Sequence, residues 1–445
     1  MKQAKQASGR AVQLRTTLTR SRIVSGAIRI LSKAGVASLT HRALADEAGV
    51  SLAATTYHFA TKDHILEAAS HTLLADNVYA CERLEQRIRA GVETAILTLD
   101  NFVSHLVLTM LGRERERSLA WCEIILNGGR TTAGRRLARE WFTQLDRIYS
   151  IIARCVDPAL GHEHARLALC EVVGLIFLLH PLRLDPTALR LLLSGRLDPE
   201  EIASRRGDRR WEFVESSGSR ATPERARSNS RERIVDAAVD VLILKGIGAI
   251  SYRSVAETVG MARSGPSYHF PTISSLLEAT EHSLFSRARA RYRAGIAAWS
   301  GVGMDASRLT EVSTAILIRE IQQFGQENLG FYLVRLGAAR TDDLRATATG
   351  ELLASYRGWR RRLTETAGIP VDKRSPFRLQ AIFVGMLLRA IVTGADPADC
   401  SLFRADLAVA INRAVAEVPA GLTQRPRNVT TPAILSRTRR RYGKH

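Results

Sequence analysis

Paired cysteines are missing from this chain of 445 residues. Its five cysteines, Cys81, Cys122, Cys155, Cys170 and Cys400, are odd in number and widely scattered. That excludes a disulfide framework and reads as a reducing, cytoplasmic setting. Long apolar runs are missing as well: the most apolar stretch, Val172 to Leu179, is far shorter than the roughly 20 residues that cross a bilayer. No membrane partner is expected. The basic N-terminus has no apolar core behind it and does not read as a secretory signal, so the Asn428-Val429-Thr430 sequon carries no weight. There is no glycine-rich phosphate loop, nucleophile elbow or paired-carboxylate motif, which argues against an enzyme and against a cofactor. His162, Glu163 and His164, with Cys170 and His180 nearby, lack zinc spacing, and positions 162 and 164 of one helix point apart, so no metal is expected.

Acid is absent from both ends. Residues 1–20 hold five Lys/Arg and residues 421–445 hold seven, with no Asp or Glu in either, so the ends supply +12 of a formal charge of +20. Such arms suit phosphate backbones or anionic membrane surfaces, or serve as solubilising tails, and composition leaves these open.

What the chain does contain is a repeat. Tyr57-His58-Phe59 returns 211 residues later as Tyr268-His269-Phe270, and positions 22–69 and 233–280 agree without a gap at 16 of 48 residues. Leu126, Arg130 and Thr131 fall on Leu336, Arg340 and Thr341 at an offset of 210, and Gly174 falls on Gly385 at 211. A period this long indicates duplicated domains rather than a solenoid.

Strand signals are almost absent, while apolar residues recur at helical spacing, as in Ile23, Ala27, Ile30, Leu31 and Ala34. The expected fold class is all-α. Thr19 or Ser21 would cap a first helix closed by Gly35, Thr40 a second ended by Gly49, and Ser51 a third. The second copy repeats this over about 231–245, Ser251 to Val259, and onward to His269. Six longer helices should follow the first trio, at about 62–90, 93–111, 114–128, 132–156, 162–180 and 184–193, and a similar set should run from about 273 to 417.

Two helices joined by a tight glycine-containing turn form a helix-turn-helix, whose second helix enters the DNA major groove. Gly49 and Gly260 occupy that turn. The string LTHRALADEAGVSLAATTYHFATKDHILEAA resembles the DNA-binding segment of the tetracycline-repressor (TetR) family of bacterial transcription regulators, and ISYRSVAETVGMARSGPSYHFPTISSLLEAT resembles it too. The resemblance covers about 50 residues at the front of each half. It implies two tandem TetR-like units, each a helix-turn-helix DNA-binding domain followed by a larger helical bundle. The expected layout is a basic arm over 1–20, a first DNA-binding domain over 21–66, a helical regulatory and dimerisation domain over 67–193, and a flexible linker over 194–230. A second DNA-binding domain over 231–277, a second helical domain over 278–420 and a basic tail over 421–445 complete it.

Carried over position by position, the family pattern places Thr40 and Arg42 against phosphates and Leu52, Ala53, Thr55 and Thr56 against base edges. Tyr57, His58 and Lys62 would contact phosphates, and Phe59 would pack inward. In the second copy Ser251, Arg253, Arg263, Ser264, Ser267, Tyr268 and His269 stand at the equivalent positions. Ile273 replaces Lys62, and Pro266 sits inside the recognition helix, where capping by Ser264 would accommodate it. Arg263 suits guanine and its counterpart Leu52 does not, so the two heads should prefer different bases.

Family members pair through two C-terminal helices, here about 162–193 and 374–417, with Gly174 and Gly385 permitting close approach. The expected partner is double-stranded DNA, bound by an intramolecular pseudodimer, with a homodimer as the alternative. In that alternative the second head is degenerate and the second copy serves as a ligand-sensing or interaction module. The resemblance also implies a small-molecule effector held by the helical domains. Phe102, Trp121, Trp141, Tyr149 and Tyr332 are candidates to line its pocket, although packed cores share that composition.

Overall fold

The computed structural model describes residues 2–205, 225–299, 303–342 and 344–417. Among them are 18 α-helices and no strand. The first half contains α1 (Lys2–Ala34), α2 (His41–Ala48), α3 (Leu52–His58), α4 (Lys62–Arg89) and α5 (Leu99–Leu111). It continues with α6 (Arg115–Gly128), α7 (Thr132–Val156), α8 (His162–Leu179), α9 (Pro186–Leu193) and α10 (Pro199–Arg205). The second half contains α11 (Arg225–Lys245), α12 (Tyr252–Val259), α13 (Ser264–His269) and α14 (Ile273–Ala297). Its larger helices are α15 (Ala306–Gly337), α16 (Arg345–Ala367), α17 (Arg374–Thr393) and α18 (Pro397–Ala416).

Local chemistry sets most of these boundaries. The hydroxyls of Thr40, Ser51, Thr61, Thr98 and Thr131 each accept a backbone N–H in the first turn of α2, α3, α4, α5 and α7. Those N–H groups have no partner inside the helix, so each cap recovers a bond that would otherwise be lost. Gly49 and Gly260 close α2 and α12 in the left-handed conformation, at φ 60° and 74°. A side chain there would strain the backbone.

Three expectations need correction. α1 starts at Lys2 and not at a cap on Thr19 or Ser21. Nothing in this stretch forces a break, and the Thr17 hydroxyl donates back to the Gln13 carbonyl within the helix, 3.0 Å away. The stretch 194–230 is not a free linker at either end. α10 buries Ile202 and Ala203, Glu200 pairs with Arg357 and Arg360 of α16, and Glu201 pairs with Lys373. α11 already begins at Arg225, and residues 206–224, like the basic tail 421–445, lie outside the described residues. Finally, the halves differ in one connection. α5 and α6 are separate helices, whereas α15 runs through the matching region with one non-helical residue, Phe324 (φ −123°, ψ 18°).

The bulk of the core is shared between the halves. α8 and α17 lie across each other as the most extensively packed pair of helices, with Gly174 and Gly385 at the point of closest approach. By length and composition α8 with the turn after it (His162–Leu182) and α17 are apolar enough to cross a membrane, but most of that surface is buried inside the protein. Ion pairs surround the crossing. Arg166 forks onto Asp406, Arg389 onto Asp146, and Asp100 receives Arg374, Arg378 and Arg413. Burial works against ionisation of Asp100, yet these three arginines hold its carboxyl below the usual aspartate value.

Candidate nucleic-acid interface

Each trio of short helices is built on one long helix. In the first, Arg22 of α1 donates to the carbonyls of Ala48 (2.9 Å) and Gly49 (2.8 Å), fixing the turn between α2 and α3. In the second, Arg233 of α11 donates to the Val259 carbonyl at 3.2 Å. Arg20 lies over the Phe59 ring and Arg231 over the Phe270 ring, at 5.2 and 4.8 Å. Phe59 is buried as expected, Phe270 is buried in the equivalent place, and the two anchor the ends of α3 and α13.

On this frame α3 presents Leu52 (53% exposed), Ala53, Thr56 and Tyr57 (82%) outward. Arg42 and the Thr40 cap are exposed at the start of α2, and His58 is half-buried with its ring edge-on to Tyr57. In the second trio Ser251, Arg253, Arg263, Ser264, Ser267 and Tyr268 are exposed, and His269 is half-buried against Tyr268. These groups form one polar and aromatic face on each trio. Backbone N–H groups at the helix starts, hydroxyls and guanidinium groups on such a face are suited to phosphate and base-edge contacts.

Two residues expected at this face are elsewhere. Thr55 is fully buried: its hydroxyl donates to the Leu52 carbonyl at 2.8 Å and lies 3.2 Å from His41 Nδ1. In the second trio Pro266 takes the same buried place. A seven-residue helix packed on α2 must turn one face inward, and residue 55 is on it. Lys62 is the second case. Its half-buried ammonium donates to the Val36 carbonyl, and burial lowers its pKa, so the cation is engaged inside the domain and not offered outward. Ser264 also differs in role. It is the first residue of α13, and the preceding Arg263 makes no side-chain cap. Pro266 sits in the first turn, where its lost N–H costs nothing.

Residues 23–69 match the profile of the bacterial regulatory proteins, tetR family. They form a TetR-family helix-turn-helix domain. Two solved structures resemble part of the chain. One is the multidrug binding protein EbrR complexed with imidazole, 25% identical with a TM-score of 0.33, covering 43% of this chain and 96% of that one. The other is a transcriptional regulator from Rhodococcus sp. Rha1, 22% identical with a TM-score of 0.35, covering 42% and 96%. No curated protein matches the chain.

The effector candidates divide. Phe102, Trp121, Trp141 and Tyr149 are packed core of the first half, and none of them belongs to the lining of the cavity around Tyr332. Phe102 meets Tyr149 edge-on at 5.1 Å, Trp121 lies 5.8 Å from Trp141, and Trp141 Nε1 donates to Ser70 Oγ at 2.9 Å. Tyr332 alone of the five lines a cavity, of about 450 Å³, between α14, α15, α16 and α17. Phe285, Tyr292, Phe331, Trp359 and Phe383 supply its aromatic walls. Its floor carries Arg335, which donates to Glu351 Oε2 at 2.7 Å and to the Ala348 carbonyl at 2.8 Å. Gln380, also in this lining, keeps a buried side-chain oxygen without a hydrogen-bond partner, while Glu351 pairs with Arg335 and meets the Glu281 carboxyl.

Proposed function

We propose that the chain is a sequence-specific DNA-binding transcriptional regulator that works as a single-chain pseudodimer, in the cytoplasm, with repression as the expected direction of control. The observation that carries this reading is the crossing of α8 and α17. The apolar faces that two separate subunits would use to dimerise are buried against each other within one chain. Support for a second DNA-binding head comes from the second trio, where Tyr268, Arg263 and Ser267 take the exposed places of Tyr57, Leu52 and Thr56. Leu52 offers a methyl-rich contact and Arg263 a bidentate one, so the DNA target is an asymmetric palindrome. The cavity of the second half is the proposed site of a small-molecule effector, because it combines aromatic walls with a buried, unpartnered acceptor on Gln380.

One observation favours a second reading, in which the second trio is degenerate and the chain homodimerises. Arg253, the counterpart of the exposed Arg42, is engaged by Glu257 at 2.9 Å.

Selection of bound sequences from a random DNA pool by the purified chain tests both readings. Recovery of two unlike half-sites about one helical turn apart supports the pseudodimer. Affinity should then fall roughly a thousandfold between about 50 and 200 mM salt, as expected for about six phosphate contacts. A perfectly symmetric target supports the homodimer, and no enriched sequence refutes sequence-specific binding.

A further inference from the structure

Among the arginines that cross between the halves, two reach the long helix of the opposite head. Arg130, in the connection from α6 to α7, donates from Nη1 to the Ile243 carbonyl (3.0 Å) and from Nη2 to the Leu242 carbonyl (2.8 Å). Those carbonyls are in the last turn of α11, the long helix of the second head. Arg340, just beyond α15 in the second half, donates from Nε to the Ser32 carbonyl (2.8 Å) and from Nη2 to the Leu31 carbonyl (3.0 Å). Those are in the last turn of α1, the long helix of the first head. Under the 211-residue repeat, Leu31 corresponds to Leu242 and Ser32 to Ile243. Each half therefore grips the same two carbonyls on the other half's head.

The chemistry of the grip is clear. The last carbonyls of a helix lack a full set of donors and carry the partial negative charge of the helix dipole; Ser32 and Ile243 are of this kind, while Leu31 and Leu242 also accept the N–H of Gly35 and Gly246 and use a second lone pair for the arginine. A guanidinium can reach two of them at once in a fixed plane, which an ammonium cannot do. The heads also meet directly: the turn Val36–Ser38 abuts the turn Ile247–Ala249, where a Cβ on Gly248 would lie 2.9 Å from the Cβ of Ala37.

The two grips are unequal. Arg340 Nη2 also bonds Glu123 Oε1 at 2.8 Å, and Glu123 Oε2 accepts the Val36 N–H at 3.1 Å. Leu333 stands at the matching position beside the other grip at the 210-residue offset, and Arg130 Nε is buried without a partner. The first head is thus tied through an ion pair as well as through carbonyls.

We propose that Arg130 and Arg340 are positioning residues for DNA recognition: crossed latches that fix the separation of the two heads and so select the spacing between DNA half-sites. The inference rests on the two-headed reading above. It is tested first without DNA, on the full chain, with spin labels carried by ketone-bearing residues at exposed positions 56 and 267. The wild type should give one narrow distance distribution, and Arg130→Ala and Arg340→Ala should each broaden it, with the double variant broadest. Should an alanine variant fail to fold, Arg130→Lys and Arg340→Lys keep the charge but lose the two-carbonyl fork, and they should broaden the distribution as well. Unchanged distributions in folded variants overturn the proposal.

The second readout is selection from the same random DNA pool. The wild type should recover one half-site spacing, while the variants recover the same half-site sequences over two or more spacings. Variants that keep one sharp spacing overturn the latch role. A wild-type chain that recovers no DNA overturns the underlying reading, and with it the spacing role, whatever the distances show.

Discussion

Gly174 of α8 and Gly385 of α17 meet backbone to backbone. A Cβ on Gly174 would fall 1.8 Å from the Ala381 carbonyl oxygen, and one on Gly385 would fall 1.9 Å from the Cys170 carbonyl oxygen. The same 211-residue offset relates Cys170 to Ala381 and Gly174 to Gly385, so the crossing looks alike from either helix. Because the obstacles are backbone atoms, no rotamer change relieves them, and the helices must separate. Gly174→Ala and Gly385→Ala should each destabilise the fold by roughly 1–3 kcal/mol. Gly358→Ala, on α16 with nothing within 4 Å of the new Cβ, is the control and should be neutral or slightly stabilising. Urea denaturation of the three variants checks this.

The neighbouring threonines of α3 should separate stability from recognition. Thr55→Ala removes a buried hydroxyl that bonds Leu52 and meets His41, and should cost about 1–2 kcal/mol. Thr56→Ala touches an exposed side chain and should change stability by no more than about 0.5 kcal/mol while weakening binding to the selected DNA. Thermal melts and DNA titrations of the pair give both halves of the comparison.

Arginines on the exposed faces proposed to meet DNA should differ in what they control. Arg42→Ala should weaken binding to all sequences alike and lower the slope of log affinity against log salt by about 1. Arg263→Ala should instead relax base preference at one position, by about 1–3 kcal/mol of discrimination. Glu257→Ala should release Arg253 and remove a negative charge near the phosphates, raising affinity at low salt. Titrations at several salt concentrations with selected and scrambled duplexes separate the three.

The two buried carboxyls beside Arg335 should make stability pH-dependent. Burial raises the Glu281 carboxyl from its ordinary 4.5 to about 7, although Arg335 pulls it the other way, and burial raises Glu351 as well. Between about pH 4.5 and 7 the folded chain therefore holds a proton that the unfolded chain has released. The stability this contributes is complete below about 4.5 and is lost as pH rises through about 7. Glu281→Gln should flatten that decline, and its stability relative to the wild type should be highest above pH 7. Denaturant midpoints between pH 5 and about 8 check the sign.

Helices were legible in the sequence where their signals are local. Periodicity and hydroxyl caps place α7 at 132–156 as observed, and α4, α6 and α8 within a residue or so. Thr55 was not legible, because one exposed and one buried threonine side by side look identical until α3 is seated on α2. Lys62 finds its acceptor 26 residues earlier in the chain, a distance no motif encodes. Aromatic content could not tell the packed Phe102, Trp121, Trp141 and Tyr149 from the cavity-lining Tyr332. Trp141 reaches Ser70, 71 residues earlier in the chain, while Tyr332 stands on α15 in the cavity wall, and neither placement is encoded locally. The repeat did mark Arg130 and Arg340 as equivalent, but only the three-dimensional arrangement pairs each with the opposite head.

The most direct measurement is the mass of the complex between the purified chain and the duplex recovered from the random pool, by analytical ultracentrifugation at micromolar concentration. The pseudodimer account predicts one chain per duplex, protecting two unlike half-sites about one turn apart. Two chains on one duplex, or a symmetric site bound by a two-chain assembly, would contradict it.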